Sequence, residues 1–179
     1  MFPFDAIAVG LAVAALMSIV WTSFRVGISP MPSSQKAQKA IISAIPENTH
    51  GLIIDLGSGW GSLVFPLARS FPLATIRGIE LSLIPWAFSR VRASLSGHSN
   101  LDIQRGNFQT TSLDGAEVIV CYLFPEGMES LRAKFEEELK PNTLIVSNTF
   151  RLAGWEPEEV IPLDDIHKTP IYRYRVPAK

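Results

Sequence analysis

The segment DLGSGWG at residues 55–61 combines spaced glycines with an acidic residue in a pattern that suits ligand binding. Gly57, Gly59 and Gly61 can adopt positive φ, and they leave no Cβ between the backbone and a bound molecule. N–H groups at the start of the helix that follows favour a negatively charged group. Glu80 ends the next apolar run, where a carboxylate can accept hydrogen bonds from both hydroxyls of a ribose. Together these residues predict a nucleoside ligand.

Two other interpretations of the glycine turn have to be weighed. A tight connection between a strand and a helix needs glycines even when nothing binds. The order strand, acidic residue, GxGxG, helix, strand and terminal Glu80 favours a binding site over an empty turn. NAD sites prefer GxGxxG, whereas Asp55 with GSGWG resembles the first motif of class I S-adenosylmethionine (SAM) methyltransferases. SAM is therefore the expected ligand, and a nucleotide-dependent oxidoreductase is an alternative.

Strand-like and helical patterns alternate around these residues. Apolar runs predict strands at residues 52–56, 75–80, 101–104, 117–122 and 143–146. Apolar residues at helical spacing predict helices between them that pack on the sheet through Ala37/Ala40/Ile41/Ala44/Ile45, Val64/Leu67/Ala68/Phe71, Ile84/Ala87/Phe88/Val91/Leu95 and Met128/Leu131/Phe135/Leu139. This alternation predicts an α/β fold with a doubly wound, mostly parallel sheet. Ligands of such sheets bind at the carboxyl ends of the strands.

Residues 6–24 form a separate unit without a charged side chain. A helix of this length matches a hydrocarbon core of about 30 Å, so the prediction is one uncleaved transmembrane helix. Arg25, Lys36 and Lys39 follow it, which places the rest of the chain in the cytoplasm. The predicted organisation is a membrane anchor at residues 1–27 and a catalytic domain at residues 28–179. A cleaved signal peptide or an amphipathic or buried helix is the alternative.

Composition narrows the possible ligands further. The formal net charge of -1 and the isoelectric point near 6.3 supply no broad basic field, so nucleic acid is not an expected partner. Cys121 is the single cysteine, and three histidines are scattered along the chain. These residues predict neither a disulfide framework nor a metal site.

Residues 28–177 resemble the membrane-associated protein-lysine methyltransferases that modify the ATP synthase c subunit and the adenine nucleotide translocase, and their prokaryotic relatives. The resemblance lies in SPMPSS, DLGSGWGS, GIELS and the block CYLFPEGMESLRAKFEEELKPNTLIVSNTFRLAGWEP. It implies a seven-stranded Rossmann-like methyltransferase sheet, SAM as cofactor and a protein substrate. Together with the predicted anchor, it favours a membrane protein as that substrate. It also implies that Asp55, Gly57, Ser58 and Gly59 hold the methionine end of SAM, Glu80 the ribose, and Asn107 and Phe108 the adenine. Gly61 completes the predicted cofactor turn.

The predicted methyl-transfer site follows the fourth strand, at Tyr122, Phe124 and Pro125, where class I enzymes commonly bind the acceptor. Methyl transfer from a sulfonium needs alignment and a neutral nucleophile more than it needs acid or base groups. Core packing at the end of a strand is the alternative role for Tyr122 and Phe124. Alternatives for the whole protein are a methyltransferase for small molecules or lipids and a noncatalytic SAM-binding membrane module.

Overall fold

The computed structural model describes residues 7–10 and 33–178. The regular elements are the helices α1 (Gln35–Ala44), α2 (Val64–Ser70), α3 (Leu83–Leu95) and α4 (Pro125–Glu138), and the strands β1 (Leu52–Leu56), β2 (Thr75–Glu80), β3 (Leu101–Arg105), β4 (Ala116–Cys121), β5 (Leu144–Asn148), β6 (Glu159–Pro162) and β7 (Pro170–Arg175). The five strands predicted from apolar runs are all present. β4 ends one residue earlier than predicted, so Tyr122 belongs to the loop that follows it.

The strands form one seven-stranded sheet in the order β3-β2-β1-β4-β5-β7-β6. β1 to β5 are mutually parallel, and β7 runs antiparallel to both of its neighbours. This confirms the prediction of a mostly parallel, seven-stranded Rossmann-like sheet. The order reverses between β1 and β4, and in open sheets such a switch point opens a crevice beyond the carboxyl ends of the strands.

Two hydrophobic layers cover the sheet, one on each face. Residues of α1 and α2 pack on one face, together with Trp86 and Ala93 of α3. Met128, Leu131 and Phe135 of α4 pack on the other face. β1, β4 and β5 are buried on both sides, which explains why their sequences are continuous apolar runs rather than alternating ones.

Three residues in the sequence favour the observed N-terminal ends of helices. The Ser34 hydroxyl accepts a hydrogen bond from the Ala37 N–H at 3.2 Å and caps α1. Pro66 is the third residue of α2, and Pro125 is the first residue of α4. A proline in the first turn costs no helical hydrogen bond because N–H groups there have no partner within the helix.

The predicted packing face of α3 is wrong. The helix forms, but it turns Pro85 and Ser89 inward. Phe88, Val91 and Leu95 remain 52%, 59% and 81% exposed. The helix has apolar residues on two sides, and the side with the stronger helical periodicity is the one that faces away from the sheet.

The predicted membrane anchor lies almost entirely outside the described residues. Residues 7–10 are helical, and Ile7 and Val9 are exposed. Among the helices in residues 7–10 and 33–178, none combines the length and the apolar character that a bilayer crossing requires.

Candidate active site

The glycine-rich turn leaves the end of β1 in a left-handed conformation. Gly57, Gly59 and Gly61 have φ of 77°, 54° and 82°. The N–H groups of Gly57 and Ser58 both donate to the Ile79 carbonyl oxygen, at 2.9 and 3.0 Å. These hydrogen bonds hold the turn against β2, so that the turn and the end of β2 form one rigid unit.

The glycines of this turn serve different purposes. A Cβ on Gly59 would meet nothing closer than the Gly57 carbonyl oxygen at 3.9 Å, so the space beside Gly59 is open to a ligand. A Cβ on Gly61 would lie 2.7 Å from the Phe65 ring. Gly61 therefore permits close packing of the turn on α2, whereas Gly59 borders the open space.

Glu80 organises the space beside the turn. One carboxylate oxygen accepts the Gly59 N–H at 2.9 Å, and the other accepts the Ser82 N–H at 2.6 Å. The residue is 7% exposed. Each carboxylate oxygen has a further lone pair, so Glu80 can hold the backbone of the turn and accept two ligand hydroxyls at the same time.

Asp55 is a second buried carboxyl group at this edge of the sheet. The side chain is 5% exposed. Burial, and to a smaller degree the negative charge of Glu80, raise the pKa of Asp55 to about 7. Since the charge of Glu80 disfavours ionisation of Asp55, a cation beside the two carboxyl groups would be favourable. The amino group and the sulfonium of SAM are such cations.

The predicted adenine residues lie next to Glu80. The Gly106 N–H donates to the Glu80 carbonyl oxygen at 3.0 Å, which joins the end of β3 to the end of β2. In the following loop the Asn107 side-chain oxygen accepts the Gln109 N–H at 2.9 Å. Phe108 is 7% exposed and packs into the core beneath this loop. The structure therefore brings the proposed ribose and adenine residues to one edge of the sheet.

An aromatic cluster lies beyond β4 and β5. Tyr122 stacks on Phe150 with ring centroids 6.0 Å apart, and Phe124 lies 5.5 Å from Phe150. Pro125 directly follows Phe124 and starts α4. The three predicted methyl-transfer residues are thus adjacent, and Phe150 joins their aromatic rings into one surface, named here the aromatic wall (Tyr122, Phe124 and Phe150).

Phe150 was missed by the sequence reasoning, and its position depends on an unusual turn. Thr149 has φ of 68°, a conformation that is rare for a β-branched residue. The Ser147 hydroxyl donates to the Phe150 carbonyl oxygen at 2.6 Å and secures the turn. One signal for Phe150 was present in the sequence, since this aromatic residue follows the fifth strand closely. Because β5 lies beside β4, a residue just after β5 can contact the residues that follow β4.

The site fits SAM on its own geometry. The open space beside Gly59, the doubly hydrogen-bonded Glu80 and the buried Asp55 match a ligand with a ribose and positive charges. In the part of the chain that the structure describes, no group of three His, Cys, Asp or Glu side chains is placed to hold a metal ion. The fold and the site together define a class I SAM-dependent methyltransferase.

Comparison with known proteins identifies the branch of this class. A family model described as the ANTKMT methyltransferase domain matches residues 55–159. The chain belongs to this family. This confirms the resemblance found in the sequence motifs.

Individual relatives agree with the family. A protein-lysine N-methyltransferase of Saccharolobus islandicus is 28% identical over 75% of this chain and 84% of its own length. The adenine nucleotide translocase lysine N-methyltransferase of Mus musculus is 31% identical over 62% of this chain and 48% of its own. This chain thus spans about half of the mouse protein.

A solved structure shares the fold and holds a related ligand. The RNA methyltransferase of Salinibacter ruber, in complex with S-adenosyl-L-homocysteine, superimposes with a TM-score of 0.74 at 26% identity. The match covers 83% of this chain and 95% of that one. It supports the same cofactor class for the glycine turn of this chain.

Proposed function

We propose that this SAM-dependent methyltransferase methylates the side-chain amine of a lysine in a membrane protein. Family membership and the lysine N-methyltransferase relatives support the lysine acceptor. The single structural observation behind the proposal is the aromatic wall beyond β4 and β5, next to the cofactor turn on β1. A flat aromatic surface is suited to the aliphatic stem and the cationic head of a lysine.

The roles of the individual side chains follow from this arrangement. Asp55, Gly57, Ser58 and Gly59 hold the methionine end of SAM, with Gly61 supporting the turn. Glu80 holds the ribose. Asn107 and Phe108 flank the adenine. Bound SAM supplies a methyl group on a positively charged sulfur.

The acceptor amine has to lose a proton before it reacts. A lysine with the reference pKa near 10.4 is almost entirely protonated at pH 7, and desolvation lowers that pKa. The aromatic wall removes water from the amine, and the Tyr122 hydroxyl orients it. With SAM bound, the amine would give this proton to water, its lone pair would form the N–C bond while the S–C electrons pass to sulfur, and the product would carry the positive charge as a methylammonium group.

The location of the protein is part of this proposal. Residues 6–24 are mostly apolar and carry no charged side chain, as a single-pass anchor requires, and the basic residues after them favour a cytoplasmic catalytic domain. The mouse relative's name refers to the adenine nucleotide translocase. An anchored enzyme would meet its acceptor at the membrane surface.

The test is methyl transfer from radiolabelled SAM into membrane extract, followed by separation of protein, lipid and RNA. We expect label in a protein band, on lysine, and loss of that label in Glu80→Ala. Label in lipid would replace lysine by a lipid acceptor, and label in RNA would replace it by a nucleic acid. SAM binding without any label would indicate a noncatalytic module.

A pair of variants tests the aromatic wall. Phe150→Ala removes an aromatic face and should lower kcat/KM for the protein acceptor roughly 5- to 30-fold, since aromatic and cation–π contacts contribute about 1 to 2 kcal/mol. SAM affinity should not change. Phe150→Leu keeps an apolar side chain without a π face. Full activity in Phe150→Leu would mean that the ring acts by packing alone, and full activity in both variants would exclude the wall as the acceptor site.

A further inference from the structure

The outer side of α3 is a mostly exposed apolar surface, which Trp60 covers in part through an edge-on contact with Phe88 at a ring-centroid distance of 5.4 Å. It consists of Ile84, Ala87, Phe88, Val91 and Leu95, named here the α3 face. These residues repeat at helical spacing, so they form one continuous stripe. Phe88, Val91 and Leu95 are more than half exposed. A stripe of large apolar residues on a domain surface marks an interaction site more often than chance exposure does.

Positively charged side chains flank the α3 face. Helix α3 contains two arginines and no acidic residue. Arg90 and Arg92 lie on opposite sides of the apolar stripe at helical spacing, and the groove between α3 and α2 adds Arg69 and His98 to its lining. Among the described residues, neither of the two grooves beside the helix is lined by Asp or Glu. Asp102, on β3, offsets part of the charge of Arg90 at 3.4 Å.

We propose that the α3 face docks onto the surface of a membrane that contains anionic lipids. A helix with an apolar stripe between arginines lies in the plane of a lipid interface, with its apolar side among the headgroups and acyl chains. Lipid phosphates then pair with the arginines. This docking is separate from the predicted anchor, because it uses a different part of the chain.

The position of α3 in the fold supports this orientation. α1, α2 and α3 cover the same face of the sheet, and the chain enters the domain through α1. α3 also begins just after Glu80, so docking would bring the cofactor end of the sheet close to the membrane surface.

Site-specific fluorescence on the full-length protein tests the docking. A thiol introduced by Val91→Cys is labelled with an environment-sensitive dye. Cys121 is buried, and burial raises its pKa to about 12, so that thiol stays unlabelled. The labelled protein is reconstituted into vesicles of phosphatidylcholine alone, or with about a third phosphatidylglycerol to supply negative surface potential. Glu129→Cys, on the exposed side of α4 across the sheet, is the matched control.

We expect blue-shifted emission and quenching by nitroxide lipids at position 91 only in anionic vesicles, with no change at position 129. Replacing Arg90 and Arg92 by Gln should lower the docking equilibrium constant about fivefold each. Equal emission in both kinds of vesicle would overturn the proposal. A shift that is already present in neutral vesicles would overturn it as well, because it would not depend on anionic lipid. The readout needs no methyl transfer, so it is independent of the proposed acceptor.

Discussion

Replacement of Glu80 by Ala tests the cofactor site most directly, because the carboxylate has two tasks. It accepts the N–H groups of Gly59 and Ser82, and it is placed to accept two ribose hydroxyls. Charge-assisted hydrogen bonds contribute about 1.5 to 3 kcal/mol each and are not fully additive. We therefore expect a loss of about 2 to 4 kcal/mol in SAM binding, which raises the dissociation constant roughly 30- to 900-fold.

The same change has a cost for stability. The Gly59 and Ser82 N–H groups lose their acceptor in a partly buried site, which costs about 1 to 3 kcal/mol in the free energy of unfolding. Relief of the repulsion between Glu80 and Asp55 offsets part of this cost. For a chain of this size we expect the melting temperature to fall by roughly 3 °C for each kcal/mol lost.

Isothermal titration calorimetry with SAM and thermal unfolding followed by circular dichroism measure the two effects separately. Asp102→Ala is the matched control, since Asp102 is an exposed carboxylate on β3 that pairs with Arg77 and Arg90. It should leave SAM affinity unchanged. Wild-type affinity in a folded Glu80→Ala protein would refute the assignment of Glu80 to the ribose and, with it, the cofactor site.

Two further predictions concern the glycine turn and Asp55. Gly61→Ala should lower the free energy of unfolding by about 2 to 5 kcal/mol, because the clash of its Cβ with Phe65 adds to the cost of its positive φ. Gly59→Ala should lower the free energy of unfolding by only about 1 to 2 kcal/mol, for its positive φ, but should weaken SAM binding. Chemical denaturation measures the first effect and calorimetry the second. A larger loss of stability in Gly59→Ala than in Gly61→Ala would contradict these roles. Without SAM, folded Asp55 keeps a proton that the unfolded chain releases, so stability should fall as pH rises from about 4 to about 7, by up to about 4 kcal/mol. SAM favours the ionised carboxylate, so its affinity should rise with pH up to about 7, and Asp55→Asn should abolish both trends.

The central sheet could be predicted from the sequence because its strands are buried on both faces. β1, β4 and β5 are runs of apolar residues with glycine, proline or polar residues around them. β6 and β7 left no such signal. β6 has only four residues, which are largely exposed, and β7 mixes arginines with tyrosines. That the sheet has seven strands could be predicted only from the resemblance to a family.

Part of the site depends on local conformations that sequence patterns do not encode. The glycines and Glu80 could be recognised because glycine spacing and the end of a strand are visible in the sequence. The orientation of Phe150 could not, because it depends on Thr149 adopting a left-handed conformation that its residue type disfavours. The raised pKa of Asp55 also needs the fold, which buries this carboxyl group beside Glu80.

The electrostatics of the site connect cofactor binding to the choice of acceptor. Asp55 and Glu80 concentrate negative charge at the ends of β1 and β2, where a cationic cofactor can neutralise it. The proposed acceptor side, beyond β4 and β5, presents the aromatic rings of Tyr122, Phe124 and Phe150. A carboxylate there would stabilise the protonated amine and oppose the deprotonation that transfer requires. On the proposed assignment, Asp55 and Glu80 would balance the charge of the cofactor while the uncharged aromatic wall would desolvate the lysine, so that its amine could lose a proton.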